Sequence, residues 1–145
     1  MKNRNEIEAK YKWDLSCYVK DEQELESNLE YLKQNMHTFK KFYGKLGQIE
    51  VLKEFLQFDN EYDNISSRTG CYIYNVLNTD TSNTKYLNYM QQLQYIGKEC
   101  GEITAFVYPQ MLELSDEYLN RLIADDELKD YRRYLKAYCA INHTK

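Results

Sequence analysis

The stretch of residues 21–47 reads DEQELESNLEYLKQNMHTFKKFYGKLG, and its apolar side chains recur at steps of three and four. They form one stripe on a helix of about five turns, made by Leu25, Leu29, Leu32, Met36 and Phe39. Asp21, with Glu24 three positions later, is an acidic variant of the capping box and predicts the start of this helix. Gly44 and Gly47 predict its end. The stretch therefore indicates an α-helical fold.

A second apolar pattern covers residues 49–78 and predicts a longer helix. Polar residues stand at two places in its stripe, Asp59 and Thr69, and Gly70 lies beside the second of them. Glycine is a weak helix former, and a long helix with polar interruptions tends to bend or to change its packing partner. We expect such a change near residues 66–70.

The remainder of the chain predicts three more helices. The third spans residues 84–107, follows a turn rich in N-cap residues and is stopped by Pro109. Gly97 and Gly101 lie on or beside its apolar stripe, so we expect another helix to approach closely there. The two remaining helices are predicted to start at Ser115 and at Asp125 or Asp126.

The fold class that follows is all-α: an up-and-down bundle of about five helices beginning with a helical hairpin. A chain of 145 residues with one proline and five glycines fits one compact domain. We expect residues 1–20 to form an N-terminal arm and residues 21–145 to form the helical domain. Trp13, the one tryptophan, is expected to anchor the arm by burying its large ring on the bundle.

Charge and hydropathy exclude some classes of partner. Nineteen basic and 23 acidic residues leave a formal charge of -4, so no positive field is available to hold nucleic acid. No segment approaches the roughly 20 apolar residues in a row that a membrane helix needs, and the charged start has no apolar region behind it. We therefore expect no membrane partner and a cytoplasmic location.

The four cysteines are far apart and show no metal-ligand spacing. Cys17, Cys71, Cys100 and Cys139 are expected to be buried free thiols, because cysteine prefers protein interiors. Two disulfides are the alternative, but no export signal indicates an oxidising compartment.

The sequence shows no complete catalytic apparatus. His37 and His143 are the two histidines, and neither stands in H-E-x-x-H. His37 lies on the flank of the first helix and is expected to be a surface residue. Glu99 and Glu102 could place two carboxylates side by side, although such a pair is usually solvated. We predict no catalytic, cofactor-binding or metal-binding residue in this chain.

Other residues with chemical potential have structural explanations. The pairs Lys40-Lys41 and Arg132-Arg133 are too small to be nucleic-acid patches. Met90 and Met111 are expected to fill the core. Fifteen tyrosines predict a broad surface of phenol groups, although codon bias in an AT-rich genome would enrich tyrosine as well.

Several short motifs occur together in a characteristic order. The run Tyr11-Lys12-Trp13-Asp14-Leu15-Ser16 precedes the first helix, and Phe42-Tyr43-Gly44-Lys45-Leu46 follows it. Further motifs follow along the chain: Asn75 to Thr84 with Asp80-Thr81 at its centre, Phe106 to Ser115 with Pro109, Tyr131-Arg132-Arg133-Tyr134-Leu135, and the terminal His143-Thr144. In this order they resemble the N-terminal part of the oligoendopeptidase F family, which belongs to the thimet-oligopeptidase-like zinc metallopeptidases. Asn142 departs from the pattern, since the family has proline there.

The resemblance implies a helical fold and a zinc-dependent enzyme that cleaves short peptides inside a deep channel. The catalytic H-E-x-x-H of the family lies far beyond the matched motifs, so no catalytic residue and no zinc ligand is carried over to this chain. The chain would then be the non-catalytic N-terminal domain that walls or covers the channel, with the catalytic remainder of the same peptidase as its partner. A severed piece would expose that contact surface and could self-associate.

A second function class stays open. A free-standing helical adaptor without enzymatic activity, which binds another protein, would show the same amphipathic helices.

Overall fold

The computed structural model of the chain describes Glu8 and residues 13–142. Its helices, in chain order, are α1 (Glu22–Asn35), a first 3-10 helix (Met36–Phe42), α2 (Ile49–Thr79), α3 (Thr84–Thr104), α4 (Val107–Leu112), α5 (Asp116–Ala124), a second 3-10 helix (Asp126–Tyr131) and α6 (Arg132–Asn142). None of the residues in this part of the chain belongs to a β-strand. The prediction of an all-α helical bundle is confirmed.

The start of α1 is the capping box predicted from the sequence. The backbone N–H of Glu24 donates to Oδ1 of Asp21 at 2.9 Å. The carboxylate of Glu24 reaches back and accepts from the backbone N–H of Lys20 at 2.6 Å, one residue before the usual position. One N–H group that a helix start leaves without a backbone partner, that of Glu24, is thus satisfied by a side chain.

The first helix changes type part-way, which the sequence did not predict. α1 ends at Asn35, and the chain tightens into the 3-10 helix Met36–Phe42. A 3-10 helix has three residues per turn, and Met36, Phe39 and Phe42 are spaced by three, so all three face the same side and are buried. The prediction of one five-turn α-helix is wrong, although its apolar residues are buried as expected. Gly44, at a φ of 71°, takes up the left-handed conformation just after the helix.

α2 is one continuous helix of 31 residues without a break at residues 66–70. Gly70 lies beside α3: a Cβ built on it would lie 3.4 Å from Cδ2 of Leu93, an ordinary van der Waals distance. The expected change of packing partner occurs earlier, because residues 49–61 of α2 belong to one compact unit and residues 62–79 to another.

α3 begins as predicted and ends earlier than predicted. Its first turn is capped by Asn83, whose Oδ1 accepts from the backbone N–H of Tyr86 at 3.2 Å. Pro109 does not stop α3; it lies in the first turn of α4, where its missing N–H is not needed. The predicted close approach at Gly97 and Gly101 is wrong, since a Cβ at either would meet no atom within 4 Å.

The helix starts predicted near the C-terminal end are confirmed. Oγ of Ser115 accepts from the backbone N–H of Tyr118 at 3.2 Å and caps α5. Oδ1 of Asp125 accepts from the backbone N–H of Glu127 at 2.9 Å and caps the second 3-10 helix, which leads directly into α6.

The described helices form two compact units. The first unit contains residues up to Asn35 together with Tyr62–Glu99. Within it, the hydroxyl of Tyr62 donates to the carbonyl of Leu32 at 2.9 Å and joins α2 to α1. The rings of Tyr72 and Tyr86, 6.2 Å apart, join α2 to α3. The buried side chains of this unit include Leu25, Leu29, Leu32, Ile73 and Ile96.

The second unit contains Met36–Glu61 together with residues from Cys100 onward. Its centre is a group of phenylalanines from the first 3-10 helix and the first half of α2. The ring of Phe39 lies 6.1 Å from Phe55 and 4.9 Å from Phe58, both in edge-on contacts. The buried side chains from the later helices include Met111, Leu119, Leu122, Leu128, Leu135 and Tyr138.

The segment before α1 is held differently from the prediction. Trp13 is 78% exposed, so the expectation that its ring is buried as an anchor is wrong. Val19 is the fully buried residue of this segment, and Nη2 of Arg68 donates to the carbonyl of Cys17 at 3.2 Å. A turn with a hydrogen bond from the N–H of Val19 to the carbonyl of Leu15 directs the valine inward. Residues 1–7 and 9–12 of the predicted arm lie outside the described residues.

Candidate functional site

The first unit carries a groove between α1 and α3 with a volume of about 580 Å³. This volume lies within the range of roughly 300–1,000 Å³ that is usual for sites of small ligands. The groove is lined by residues from both helices: Glu26, Leu29, Glu30, Lys33, Asn88, Tyr89, Gln91, Gln92, Tyr95 and Ile96.

Helical periodicity explains which side chains meet in the groove. Residues three and four apart share one face of a helix, and the lining residues of each helix follow that spacing. Leu29, Tyr89 and Ile96 are buried and form the floor. The rim is polar, so the groove combines an apolar floor with hydrogen-bonding groups at its edges.

Phenol groups of α3 donate hydrogen bonds to carboxylates of α1. The hydroxyl of Tyr89 donates to Oε1 of Glu26 at 2.5 Å, and that of Tyr86 to Oε1 of Glu22 at 3.4 Å. Nζ of Lys85 lies 2.7 Å from Oε2 of Glu22. The hydrogen bond to Glu26 raises the pKa of Tyr89, and the hydrogen bond to Glu22 raises the pKa of Lys85. These bonds hold the two walls of the groove together.

The described lining of the groove carries carboxylates, carboxamides and phenols, all of which can form hydrogen bonds. The carboxylate of Glu26 accepts from Tyr89, and that of Glu30 accepts from Nε2 of Gln34 at 2.6 Å. The carboxamides of Gln91 and Gln92 can both donate and accept hydrogen bonds. Such a set suits a ligand with amide or hydroxyl groups.

Within the described part of the chain, no three His, Cys, Asp or Glu side chains come together to hold a metal ion. His37 is exposed on the first 3-10 helix, as predicted, and His143 lies outside the described residues. Glu99 accepts a hydrogen bond from the hydroxyl of Tyr95, one turn earlier on α3, and Glu102 is exposed. The carboxylate of Glu99 thus forms a hydrogen bond with a residue of its own helix.

The two basic pairs have structural roles. Nζ of Lys41 lies 2.7 Å from Oε1 of Glu54 and 4.8 Å from the ring centre of Phe42. Nε of Arg132 donates to the carbonyl of Ile123 at 2.9 Å, next to an ion pair with Asp126. The methionines differ: Met111 is fully buried, as predicted, while Met90 is only half-buried.

All four cysteines lie in the described part, and no disulfide joins them. Cys100 and Cys139 are half-buried, while Cys17 and Cys71 are exposed, so the expectation of buried thiols is wrong for the last two. Cys71 lies on α2, two residues before the buried Ile73, and therefore on another face of the helix. Burial raises the pKa of the Cys139 thiol.

Sequence reasoning missed the groove altogether. The one signal that could have found it is the row of polar residues at helical spacing on α3, from Asn88 through Gln91 and Gln92 to Tyr95. Such a row is also what a solvated helix face looks like. Its pairing with α1 requires the tertiary contacts that are seen only in the structure.

Comparison with known proteins identifies several relatives of this chain. The chain is similar to oligoendopeptidase F. It is 29% identical over 135 residues to the plasmid-encoded oligoendopeptidase F of Lactococcus lactis subsp. cremoris, covering 90% of this chain and 22% of the relative. It is 26% identical over 130 residues to an oligoendopeptidase F homolog of Borreliella burgdorferi, with the same two coverages.

A third relative is the group B oligopeptidase PepB of Streptococcus agalactiae, which is 25% identical over 138 residues, covering 92% of this chain and 23% of the relative. The chain therefore spans about a fifth of the length of the curated oligoendopeptidase F relatives that it matches. No family model matches the chain, and no solved structure shows a significant match to it.

Among the helices of the described residues, none combines the length and the apolar character that crossing a lipid bilayer requires.

Proposed function

We propose that this chain is the non-catalytic N-terminal helical portion of an oligoendopeptidase F-like zinc metallopeptidase that cleaves short peptides. The observation that carries this proposal is the pattern of coverage: the likeness extends over 90% of the chain but over only 22% of the Lactococcus lactis protein. The order of the sequence motifs agrees with it, because they are those that open the family. The link to the wider thimet-oligopeptidase-like group is part of the same proposal.

The role we assign to the chain is to form part of the wall or cover of the substrate channel. The groove between α1 and α3 supports this role, because its carboxamides and phenols can hydrogen-bond to a peptide backbone. Its buried floor of Leu29, Tyr89 and Ile96 supplies an apolar surface beneath them. A peptide that passes along the groove would be held without being cut by it.

Zinc belongs, in this proposal, to the catalytic remainder of the peptidase. The described residues do not fit a zinc site, since no three potential ligands lie together. No catalytic step is therefore assigned to this chain. We propose a cytoplasmic location and the catalytic remainder of the same polypeptide as partner.

The most direct genetic test is to read the DNA that follows the codon for Lys145 in the gene of this chain. We expect an open reading frame that encodes H-E-x-x-H. The matching biochemical test is calorimetry of the isolated chain with zinc, together with a quenched peptide assay. We expect neither stoichiometric zinc binding nor cleavage. A stop codon directly after Lys145, or chelator-sensitive cleavage by the isolated chain, would contradict the proposal.

The free-standing adaptor remains the second candidate function. The observation that favours it is the exposure of large aromatic residues, including Trp13 and Tyr74, on the first unit. An adaptor would fold and act without any further polypeptide. A stop codon after Lys145 together with a specific protein partner would establish this candidate.

A further inference from the structure

Two carboxylates on the α1 side of the groove stand one helical turn apart. Glu26 and Glu30 are separated by four residues and both line the groove, with about 5–6 Å expected between their Cβ atoms. Two like charges at this spacing repel each other and weaken the helix slightly. The groove therefore carries an electrostatic cost that a positive charge placed between the two carboxylates would remove.

Both carboxylates have neutral donors and keep room for a further one. Oε1 of Glu26 accepts from the hydroxyl of Tyr89 at 2.5 Å, and Oε1 of Glu30 accepts from Nε2 of Gln34 at 2.6 Å. Neither carboxylate forms an ion pair with a residue that the structure describes, and in that part of the chain neither Oε2 atom accepts a hydrogen bond. A carboxylate has about four lone-pair sites, so each can accept from a bound ligand.

The lysines near these carboxylates do not neutralise them. Nζ of Lys85 lies 2.7 Å from Oε2 of Glu22, so its charge is already matched. Among the described lining residues Lys33 is the one cation, and it stands seven residues, or about 10 Å, along α1 from Glu26. Exposed charges at this separation are largely screened at physiological ionic strength. The groove is therefore most negative at its Glu26 end.

The opposite wall of the groove offers groups that suit a peptide backbone. Asn88, Gln91 and Gln92 of α3 are exposed along it. Each carboxamide can donate and accept hydrogen bonds, as a peptide group does. Next to them the hydroxyl of Tyr95 donates to Oε1 of Glu99, which adds a negative charge on this side. A peptide in the groove can thus bond to α3 through its backbone while one of its side chains reaches α1.

We propose that the groove between α1 and α3 selects peptides with a cationic side chain, arginine or lysine, and that this side chain binds between Glu26 and Glu30. This inference rests on the proposed function, in which the groove holds a peptide, and adds the class of peptide that is held. A guanidinium group presents five N–H donors in a planar fork and suits two carboxylates that each keep an oxygen free. Because exposed ion pairs are weak, the selectivity is a few-fold.

The test uses the complete 145-residue chain and follows binding through the chemical shifts of its isotope-labelled backbone amides. The first probe is the peptide Gly-Gly-Arg-Gly-Gly with both ends capped. The second has citrulline, an uncharged isostere, in place of arginine, and the third is the methylguanidinium ion alone. Dissociation constants are obtained by titrating each probe into the chain.

The variants remove charge and keep the shape of the side chain. They are Glu30→Gln and the double substitution Glu26→Gln with Glu30→Gln, in which the new carboxamides can still accept from Tyr89 and Gln34. The matched control is Glu113→Gln, which removes the same charge at an exposed position of the second unit. Circular dichroism verifies that each variant is folded.

We expect the arginine peptide to shift the amides around the groove and to bind at least about 3-fold more tightly than the citrulline peptide. Glu30→Gln should reduce this preference, the double variant should abolish it, and Glu113→Gln should leave it unchanged. Lys33→Gln should increase the preference, because it removes the opposing positive charge from the groove.

Equal binding of the two peptides in the groove would overturn the inference and leave the role of the groove in holding peptides intact. A preference that persists in the folded double variant would place the cationic side chain elsewhere and contradict the inference in the same way. Methylguanidinium that binds as tightly as the arginine peptide would mean that the groove takes a free cation, which also overturns it. If neither peptide binds in the groove, the inference fails together with the role of the groove in the channel wall, whereas the relation to the peptidase is tested separately by the reading frame after Lys145.

Discussion

Nζ of Lys53 on α2 lies 3.0 Å from Oδ2 of Asp125, the residue that caps the second 3-10 helix. The same Nζ lies 2.5 Å from Oε2 of Glu127, and the Lys53 side chain is mostly buried. Asp125 therefore accepts hydrogen bonds both from this lysine and from the backbone N–H of Glu127. The hydrogen bond from Lys53 lowers the pKa of Asp125, and those to Glu127 and Asp125 raise the pKa of Lys53.

The first prediction concerns the pH dependence of stability in the variant Lys53→Met. A carboxyl group whose pKa is lower in the folded state stabilises the fold above its unfolded pKa, near 3.9, and loses this effect as the pH falls through the folded pKa. Removing Lys53 removes the largest cause of the shift. We expect the melting temperature of Lys53→Met to lie below that of the wild type at pH 7, and the difference to shrink below about pH 4.

The control for this prediction is Lys45→Met, at an exposed lysine of the same unit. It should leave the melting temperature nearly unchanged over the same pH range. A constant difference between Lys53→Met and the wild type from pH 7 to pH 3 would show that the variant acts through packing and not through Asp125.

The second prediction concerns Thr69, which is fully buried in α2. Its Oγ1 has no hydrogen-bond partner among the described residues. A buried hydroxyl without a partner costs about 1–3 kcal/mol, and valine has nearly the same shape without the polar atom. We expect Thr69→Val to raise the free energy of unfolding by about 1 kcal/mol in urea denaturation. A decrease would reveal a partner for the hydroxyl, and Thr69→Ala, which leaves a cavity, should be destabilising.

The third prediction concerns Gly97, an exposed glycine in the interior of α3 where an added Cβ would meet no atom within 4 Å. Alanine is favoured over glycine in a helix interior by about 1 kcal/mol. We expect Gly97→Ala to raise the free energy of unfolding by about 0.5–1 kcal/mol. Gly70→Leu is the contrasting variant, because its side chain would collide with Leu93 and should destabilise the fold. If Gly97→Ala lowered the free energy of unfolding, another helix would have to lie close to Gly97, as the sequence predicted, and this account of the residue would be contradicted.

The local features of the fold could be predicted from the sequence because their causes lie within a few residues. Asp21, Ser115 and Asp125 cap helices through the N–H groups two or three positions onward. The sequence pattern identifies such residues directly. The 3-10 segment is different, because a spacing of three fits one face of an α-helix as well as that of a 3-10 helix, so the pattern of Met36, Phe39 and Phe42 does not choose between them.

The groove and the exposure of Trp13 could not be predicted from the sequence, because both depend on tertiary contacts. The groove exists because Tyr89 of α3 meets Glu26 of α1, and no periodicity within one helix determines which helices become neighbours. For Trp13, the large apolar area suggested burial, but the small Val19 takes the interior position of that segment. Side-chain size indicates what burial would contribute and does not determine which residue is buried.

The fourth prediction concerns thiol reactivity in the folded chain. Cys17 and Cys71 are exposed, whereas Cys100 and Cys139 are half-buried, and burial raises the pKa of Cys139. Since the thiolate is the reactive form, we expect two thiols to react rapidly with a chromogenic disulfide reagent and two slowly. The variants Cys17→Ser and Cys71→Ser should each remove one rapid equivalent. Unfolding without a reductant should make all four react, and fewer than four would indicate a disulfide.

The central claim, that this chain completes a peptide-cleaving enzyme, is tested most directly by reconstituting activity from separate parts. The chain and the polypeptide encoded after Lys145 are expressed separately, and the cleavage of a quenched fluorescent peptide is measured for each part and for a one-to-one mixture. We predict that neither part cleaves efficiently alone, that the mixture does, and that a zinc chelator abolishes its activity. A remainder whose full activity does not change when this chain is added, or a mixture that stays inactive, would contradict the account.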